Sequence, residues 1–577
     1  MRSPTPEEKA IGKENFYGAI ASPHLSRREF LLGSAAVGLV SGAGLGAYYF
    51  GYGRSVGDPV RVGFIGTGDE GSVLIGAHNP EYLNVVAIAD IRPYNVYRAF
   101  HGDESSPNAY LVRPGLMNKY DWKSEDQARK QVKVYDQDYH QLLDDPDVEA
   151  VIIALPLHLH DIVAIEAMKR GKHVLTEKLM AHSVHQCKEM SRVSQETGKI
   201  LATGHQRHYS ILYDNAVAMI REGLLGQLHA IRAQWHRGNR PGSDSWQPKL
   251  PEDIISELAS IEKRLNDPKT DGYTLGVLQE RQKLYIEMAK DAILSKKDEK
   301  TGKTLAETYG YEEKTGYGPD GNMVISPIEE LIRWRLFDRT GGGLMAELGS
   351  HQLDAAGIFI SAMQEGGKKA LPLTVSAMGG RSLFPRDRDV DDHVYCMYEF
   401  PTPAYVPEDP STHHNKVVVT YSSINGNGFG GYGEVVMGTD GTLVLEREQE
   451  VLLYPREGLT RVGVTKKKDA AVLDTRASGG GDAAVAQAAL DSGPVSRGYT
   501  EEMEHFAWCI RNPSPENQPK CHPAVALGDA VIALTTNIAI ERGKKGESGT
   551  IKFDPNWFKI DSDETPEGVK PDIKKYS

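Results

Sequence analysis

The first residues with a recognisable chemistry form a glycine triplet, Gly66-Thr67-Gly68-Asp69-Glu70-Gly71, between an apolar run that predicts a short strand and a run that predicts a helix. In a G-x-G-x-x-G motif so placed, Gly66 permits a tight turn, Gly68 lets a pyrophosphate approach the main chain, and Gly71 lets helix and strand pack closely. The amino terminus of the helix supplies free N–H groups and a positive dipole end for phosphates. The pattern therefore predicts a dinucleotide site.

The identity of the dinucleotide depends on the end of the next predicted strand. That strand ends in Asp90, about 20 residues after the last glycine, where an acid bonds a ribose hydroxyl. Its charge would repel a 2′-phosphate, so Asp90 favours NAD, whereas Arg92 could pair with that phosphate and keeps NADP as the alternative. Asp69 and Glu70 would repel the pyrophosphate unless they point outward.

Strands and helices continue to alternate as far as residue 205, which is typical of a doubly wound parallel sheet of the Rossmann type. The run Ala150-Val151-Ile152-Ile153-Ala154-Leu155, for example, is continuously apolar, as expected of a parallel strand buried on both faces. Ligands of such sheets lie beyond the carboxyl ends of the strands. Residues predicted at these ends, and hence beside the cofactor, are Pro156, His158, Glu177, Lys178 and Gln206.

Several blocks taken together resemble the Gfo/Idh/MocA oxidoreductases, a family named for glucose–fructose oxidoreductase and inositol dehydrogenase. The resemblance covers most of the chain from about Val60 to Asp554. The blocks are VGFIGTGDEG with Asp90, ALPLHLHDIVAIEAMKRGKHVLTEKLMAHS, TGHQRHYS, GGGLMAELGSHQLD, GYGEVVMGTDGTLVLE and FDPNWF. The resemblance implies a second, α+β domain on an open, mostly antiparallel sheet. The sequence favours the same sheet independently, because its strand-like runs from Val394 to Tyr454 have no crossover helices between them.

The resemblance also implies catalytic residues. Glu177-Lys178 matches the family's Glu-Lys-Pro, with Leu179 in place of proline, and implies that Lys178 reaches the reacting hydroxyl while Glu177 lies near the cofactor. The family's Asp-x-x-x-His corresponds to Glu347 and His351. His351 would then be the general base for an alcohol proton, since imidazole titrates near neutral pH, and Glu347 would orient it.

Alternatives to this catalytic site remain at the sequence level. If residues 344–354 are helical, Glu347, His351 and Asp354 share one face, which places Asp354 beside the substrate. A Glu-x-x-x-His pair can also be a solvated pair on a helix surface. Half a metal site completed by His158 and His160 is a further alternative, but no HExxH motif or cysteine cluster supports it. We therefore predict no metal.

An insertion at about residues 247–327 distinguishes this chain from a minimal two-domain architecture. Leu250–Asn266 and Leu275–Lys297 carry apolar residues at helical spacing and predict an amphipathic hairpin, which would act as a lid or an oligomer contact. The flanks carry Trp235, Arg237, Arg333 and Trp334. Rings beside polar donors suit a carbohydrate, although the same residue types also serve in packing.

The amino-terminal segment resembles a twin-arginine export signal. Ser26-Arg27-Arg28-Glu29-Phe30-Leu31-Leu32 precedes a weakly apolar run that reaches Phe50. This predicts recognition by the twin-arginine export machinery and a periplasmic location, with the signal either cleaved or retained as a membrane tether. We assign residues 1–57 to signal and linker, 58–205 to the dinucleotide domain, and 206–577 to the substrate and oligomerisation domain.

Composition restricts the remaining classes. The 577 residues carry a net charge of −13, which argues against nucleic-acid binding, and four scattered cysteines make neither a zinc knuckle nor a disulfide scaffold. The prediction is an NAD(P)-dependent dehydrogenase or reductase that acts on a sugar or cyclic polyol as a homo-oligomer and holds its cofactor tightly, since no free nicotinamide pool exists outside the cytoplasm. The alternatives are glycoside cleavage through transient oxidation of the sugar, and a non-catalytic binding protein of the same fold.

Overall fold

The computed structural model describes residues 4–20, 22, 45–53, 55–456, 458, 460–467, 470–474 and 497–568. The twin-arginine stretch Ser26–Leu32 lies outside the described residues. The helices are α1 Pro6–Ile20, α2 Leu45–Phe50, α3 Asp69–Ala77, α4 Pro93–His101, α5 Pro107–Val112, α6 Gly115–Lys119, α7 Glu125–Arg129, α8 Tyr139–Asp144, α9 His160–Lys169, α10 Val184–Thr197, α11 Ile211–Arg221, α12 Pro251–Leu265, α13 Gly272–Ala289, α14 Leu305–Thr308, α15 Pro327–Ile332, α16 Asp338–Gly341, α17 Ser350–Ser361, α18 Tyr499–Arg511 and α19 Pro523–Lys544.

Eighteen strands occur among the described residues. They are β1 Val60–Ile65, β2 Leu83–Ala89, β3 Lys133–Tyr135, β4 Ala150–Ile153, β5 His173–Glu177, β6 Leu201–Gly204, β7 Leu228–His236, β8 Lys314–Tyr317, β9 Met323–Ile325, β10 Thr374–Gly380, β11 His393–Pro401, β12 Lys416–Ile424, β13 Tyr432–Gly438, β14 Gly441–Glu446, β15 Glu450–Pro455, β16 Gly463–Lys467, β17 Ala470–Asp474 and β18 Thr550–Lys552.

The first sheet confirms the predicted Rossmann arrangement. Its six strands run in the order β3-β2-β1-β4-β5-β6, and every adjacent pair is parallel. Strand β4 is buried along its whole length, as its apolar run predicts. The strand order reverses between β1 and β4, and the crevice at such a switch point is where ligands of open α/β sheets bind.

The second sheet has eight strands in the order β15-β14-β13-β7-β12-β11-β10-β18 and confirms the predicted, mostly antiparallel architecture. One pairing differs from the expectation, because β7 and β12 run parallel at the centre of the sheet. Strand β7 enters the sheet from the end of the first domain, far along the chain from β12, so no hairpin constrains its direction. On β11, Val394, Cys396 and Tyr398 are buried on one face while Tyr395 and Met397 are exposed on the other.

The amino-terminal residues, which the sequence analysis assigned to signal and linker, contribute two helices to the folded body. Helix α1 packs on β15, where Phe16 is fully buried and Asn15 Nδ2 donates to the main-chain oxygen of Leu453 at 3.0 Å. Helix α2 packs beside the first sheet, in one apolar cluster with Val60 and Phe64. Parts of the segment assigned to signal and linker thus pack on both sheets of the folded body.

The carboxyl-terminal part also crosses the predicted boundary. Met503 and Phe506 of α18 lie in the same apolar cluster as β1 and β2, and Arg511 forms an ion pair with Glu149 of the first domain. Helix α19 is long and apolar enough to cross a membrane, but 72% of its most apolar window is buried inside the protein. It is a core helix in this structure, packed against β10 and α10.

The insertion contains the predicted hairpin. Helices α12 and α13 pack through a small core of their own, formed by Ile254, Ile261, Leu278 and Tyr285. Beyond the hairpin, residues 296–320 of the insertion contain helix α14 and strand β8. A second small core joins Leu294, Ala306 and Tyr311 to Leu331. These apolar residues are too widely spaced to show a helical or strand periodicity in the sequence, but they hold the segment in place.

Candidate active site

A cleft of about 1490 Å³ opens at the switch point of the first sheet and extends to the second sheet and the insertion. Its floor is formed by the glycine turn after β1 and by the ends of β4 and β5. Trp235 of β7, His351 of α17 and Tyr311 of the insertion line the other sides. The cleft therefore brings all three parts of the chain to one place.

The glycine turn has the geometry that its sequence predicts. Gly66 has a φ of +88°, and a Cβ there would lie 2.4 Å from the main-chain oxygen of Ala154, while a Cβ on Gly71 would lie 2.2 Å from that of Gly66. A Cβ on Gly68 would meet only Asn95 Nδ2, at 3.6 Å, so this glycine keeps open the space over the turn. Helix α3 begins here without a side-chain cap. Its uncapped N–H groups and the open turn fit the pyrophosphate of a dinucleotide.

Asp90 and Arg92 line the same cleft but have different partners. The Asp90 carboxylate accepts hydrogen bonds from the main-chain N–H of Thr67 at 2.7 Å and from Asn95 Nδ2 at 3.0 Å. Arg92 Nε and Nη2 both lie 2.9 Å from Oδ2 of Asp291, which belongs to the insertion and is 2% exposed. The insertion thus neutralises the one cation that the sequence placed beside a 2′-phosphate.

The charges of Asp69 and Glu70, the two acids of the turn, are compensated in different ways. Asp69 forms an ion pair with Arg98 at 2.9 Å, and the positive charges of Arg98, Arg335 and Arg113 lower its pKa against the opposing effect of burial. Burial raises the pKa of Glu70, which favours its neutral form. Neither acid is therefore an uncompensated charge.

Strand β5 ends at Glu177, and Lys178 follows directly. Both side chains line the cleft, as predicted. Burial, reinforced by the nearby Glu70 carboxyl, raises the pKa of Glu177 to about 8. The Lys178 ammonium donates to the main-chain oxygen of Glu347 at 2.6 Å and to that of Ala346 at 3.4 Å. Burial lowers the pKa of Lys178 against the carboxylates around it. An ammonium has three donors, so one N–H remains for a ligand in the cleft.

A π-helical turn at Met345–Gly349 precedes α17 and changes which side chains share a face. The expectation that Glu347 orients His351 is wrong, since Glu347 Oε1 accepts a hydrogen bond from Arg335 Nε at 2.8 Å instead. Burial opposes the charge on Glu347, but Arg335, Lys178 and Arg237 lower its pKa to about 2. Glu347 is therefore an ionised counter-charge for these cations.

His351 lies in the cleft with its ring centroid 5.4 Å from that of Trp235. Burial and the positive charges of Lys178 and Arg207 hold its pKa well below the ordinary value. The ring is consequently neutral near pH 7 and able to accept a proton. Arg207, fully buried, donates to the main-chain oxygen of His351 at 2.5 Å and pairs with Glu434 and Glu448 beneath the site.

An aromatic and cationic wall faces Lys178 and His351. The Arg237 guanidinium lies 5.4 Å from the Trp235 ring and 6.0 Å from the Trp246 ring, and Arg335 stacks on Trp334 at 4.2 Å. Among the residues that the structure describes, none accepts a hydrogen bond from the Arg237 side chain. Arg237 is thus a free donor that faces the cleft, as the flanking sequence predicted.

Three predicted site residues do not line the cleft. Arg333 turns away to Glu329 and the main-chain oxygen of Pro248. Asp354 is buried in the protein interior, where it accepts a hydrogen bond from His208 at 2.8 Å. Gln206 is buried beneath the end of β6. Gln206 was predicted from its place at a strand end, Asp354 from a shared helix face, and Arg333 from the aromatic and basic flank of the insertion.

Three other residues matter to the site through contacts that the sequence did not predict. Arg335 holds Glu347, Arg207 holds the main chain of His351, and Asp291 holds Arg92. Arg335 directly follows the predicted Trp334, so a pattern of aromatic and basic residues could have pointed to it. The other two act across long stretches of chain and leave no local signal. His158 lines the cleft as predicted, whereas both ring nitrogens of His160 meet main-chain oxygens.

Comparisons with known proteins support the reading of the first domain. Residues 60–205 match the Gfo/Idh/MocA family model, described as an oxidoreductase family with an NAD-binding Rossmann fold. An inositol 2-dehydrogenase/D-chiro-inositol 3-dehydrogenase of Lactiplantibacillus plantarum is 26% identical over 205 residues, which are 34% of this chain and 58% of that protein. A glycosyl hydrolase family 109 protein of Shewanella putrefaciens is 30% identical over 184 residues, which are 31% of this chain and 36% of that protein.

Each of these alignments spans less than two thirds of the relative's length. Among solved structures, a levoglucosan dehydrogenase in complex with NADH and L-sorbose aligns with 86% of this chain and 99% of its own, at 17% identity and a TM-score of 0.48. The family model matches the dinucleotide-binding part of the chain, residues 60–205.

Proposed function

We propose that this protein is an NAD-dependent oxidoreductase that transfers a hydride between the nicotinamide and a secondary hydroxyl of a sugar or cyclic polyol. The observation that carries the proposal is the convergence of the glycine turn, the free N–H of Lys178 and the neutral His351 ring on one cleft. The inositol dehydrogenase similarity supports a polyhydroxylated ring as the substrate class.

The residues of the cleft fit a nicotinamide dinucleotide. The turn at Gly66–Gly71 and the amino terminus of α3 would hold the pyrophosphate, and Asp90 would bond the adenosine ribose. NAD is favoured over NADP because Asp291 neutralises Arg92. When bound, the cofactor would supply the hydride acceptor.

The chain itself would supply alignment and proton transfer. For alcohol oxidation, His351 accepts the hydroxyl proton, and the third N–H of Lys178 stabilises the negative charge that develops on the oxygen. Glu347 keeps the local charge balanced and fixes Lys178 through its main-chain oxygen. Trp235 and Trp246 would cover the apolar face of the ring, and Arg237 would donate to its hydroxyls.

Two further properties belong to the same proposal. The protein would be exported by the twin-arginine route to the periplasm as a homo-oligomer, and the exposed Met378, Tyr395 and Met397 on the open face of the second sheet suit contact with a second copy. The insertion would retain the cofactor tightly, since Tyr309 donates to the main-chain oxygen of Gln137 at 2.6 Å and Tyr311 walls the cleft beside His158.

A second candidate is glycoside cleavage through transient oxidation, which the similarity to a glycosyl hydrolase family 109 protein favours. One experiment separates the two. The purified protein is denatured, the released cofactor is identified, and sugars and glycosides are then screened with intact protein. Net nicotinamide reduction by a free sugar supports the first function, whereas glycoside cleavage without net reduction supports the second. Protein with no nicotinamide and no affinity for NAD or NADP would refute both.

A further inference from the structure

A second group of reactive side chains lies outside the cleft, beneath the helix that carries His351. His205 follows β6, Asp354 is on α17, Cys521 precedes α19, and Asp529 is on α19. Each of the four is at most 3% exposed. Burying four such side chains from three distant segments costs free energy unless each of them finds a partner.

The distances among these side chains suit a single ion. Ligand atoms of His205, Cys521 and Asp529 all lie within 4.8 Å of one another. Asp354 belongs to an adjoining group with His208 and Asp529, and its Oδ2 lies 3.8 Å from His205 Nδ1. Zinc binds nitrogen, oxygen and sulfur at about 2.0 to 2.3 Å, so tetrahedral ligand atoms are about 3.3 to 3.8 Å apart. The three grouped side chains would have to draw closer, and Asp354 would have to shift toward them as the fourth ligand.

Among the described residues, one oxygen of each carboxylate in the cluster lacks a hydrogen-bond partner while the other oxygen has one. Both ring nitrogens of His205, Oδ2 of Asp354 and Oδ2 of Asp529 are buried without a hydrogen-bond partner among the described residues. The opposite oxygens are occupied. Oδ1 of Asp354 accepts from His208 at 2.8 Å, and Oδ1 of Asp529 accepts from Lys369 at 2.5 Å. Carboxylates that bind a metal are typically held in this way through their second oxygen.

The charges that face the cluster can also be stated from its contacts. Lys369 forms ion pairs with both acids, at 3.5 Å from Asp354 and 2.5 Å from Asp529. A divalent cation would balance two carboxylates and a thiolate beside this one ammonium.

We propose that His205, Asp354, Cys521 and Asp529 bind a structural zinc ion. The ligand set of one nitrogen, one sulfur and two oxygens suits tetrahedral zinc and leaves no open position for substrate. The ion would join the end of β6 to α17 and α19, and so fix the helix that positions His351. The sequence analysis predicted no metal, because these ligands form no local motif.

The first test measures metal content by mass spectrometry of protein purified without chelator and dialysed. The wild type should carry about one zinc per chain. His205→Ala and Cys521→Ser should each lose nearly all of it, whereas Cys509→Ser, a buried free cysteine in α18 outside the cluster, should retain it. A chelator should lower the melting temperature of the wild type, and added zinc should restore it.

A second measurement does not require the variants to fold. Wild-type protein stripped of metal and loaded with Co²⁺ should show the charge-transfer absorption of a thiolate-to-cobalt bond, which zinc should displace. The proposal is overturned if the wild type contains no metal and neither Zn²⁺ nor Co²⁺ changes its stability or spectrum. It is equally overturned if both ligand variants fold and retain the full metal content.

Discussion

The pairing of Arg92 with Asp291 makes cofactor choice depend on the insertion. Both Arg92 nitrogens lie 2.9 Å from Oδ2 of Asp291, while Oδ1 accepts the main-chain N–H of Tyr94 at 3.0 Å. Asp291→Asn keeps a side chain of the same shape, with an oxygen for Tyr94, but removes the charge that holds Arg92. The guanidinium then becomes available to a 2′-phosphate.

The expected gain follows from the strength of one charged hydrogen bond. Hydrogen bonds to charged groups contribute about 1.5 to 3 kcal/mol, which corresponds to roughly 10- to 140-fold in affinity. Asp90 stays in place and repels the phosphate, so the lower end is expected: about a tenfold tighter Kd for NADP, with the Kd for NAD little changed.

The assay is isothermal titration calorimetry of cofactor-free protein with NAD and NADP, which requires no knowledge of the substrate. Asp298→Asn, an exposed acid elsewhere in the insertion, is the matched control and should leave both affinities unchanged. The double variant Arg92→Ala/Asp291→Asn should lose the gain. An NADP affinity that is the same in Asp291→Asn and the wild type, or a gain that persists without Arg92, would refute this account of specificity.

Two further predictions concern stability. The pKa of Glu177 is about 8 in the folded protein and 4.5 in the unfolded chain, so its contribution to stability is complete below pH 4.5 and is lost as pH rises through 8. Between pH 5 and 8, Glu177→Gln should therefore gain more than about 1 kcal/mol of unfolding free energy relative to the wild type. Urea denaturation that gives a pH-independent difference between the two proteins would contradict this. Phe16→Ala should weaken the docking of α1 by about 3 kcal/mol and speed amide hydrogen exchange in that helix roughly 100-fold. Glu14→Ala is the control and should leave the exchange rate unchanged, because the partner of Glu14, Arg461, is exposed. Equal exchange rates in the two variants would show that α1 does not depend on the Phe16 contact.

Much of the fold follows from local patterns in the sequence. The glycine turn and strands such as β4 were predictable because positive-φ glycines and fully buried runs restrict what a residue can be. Strand β7 was missed, since Arg232, Gln234 and His236 make it look polar although its other face packs on the core. Its parallel pairing with β12 joins segments that share no turn, and such register is decided by packing alone.

The residues of the candidate site could be predicted where functional side chains are adjacent in the sequence. They could not be predicted where the direction of a side chain depends on the rotation of a helix about its axis. Lys178 and His351 were assigned by resemblance and line the cleft. The role of Glu347 was misassigned because a π-helical turn changes its phase relative to His351, and no residue type announces such a turn. The partners Asp291 and Arg207 act over distances along the chain that only the folded topology closes.

In the proposed mechanism, Lys178 and His351 act together on one hydroxyl beside the nicotinamide. The most direct measurement mixes cofactor-loaded protein rapidly with a sugar that the screen identifies and follows the absorbance of the bound nicotinamide through a single turnover. Lys178→Ala and His351→Ala should each retain the cofactor and slow this change by at least about 100-fold. A variant that retains the wild-type rate would contradict the claim for that residue, and wild-type rates in both would contradict the account as a whole.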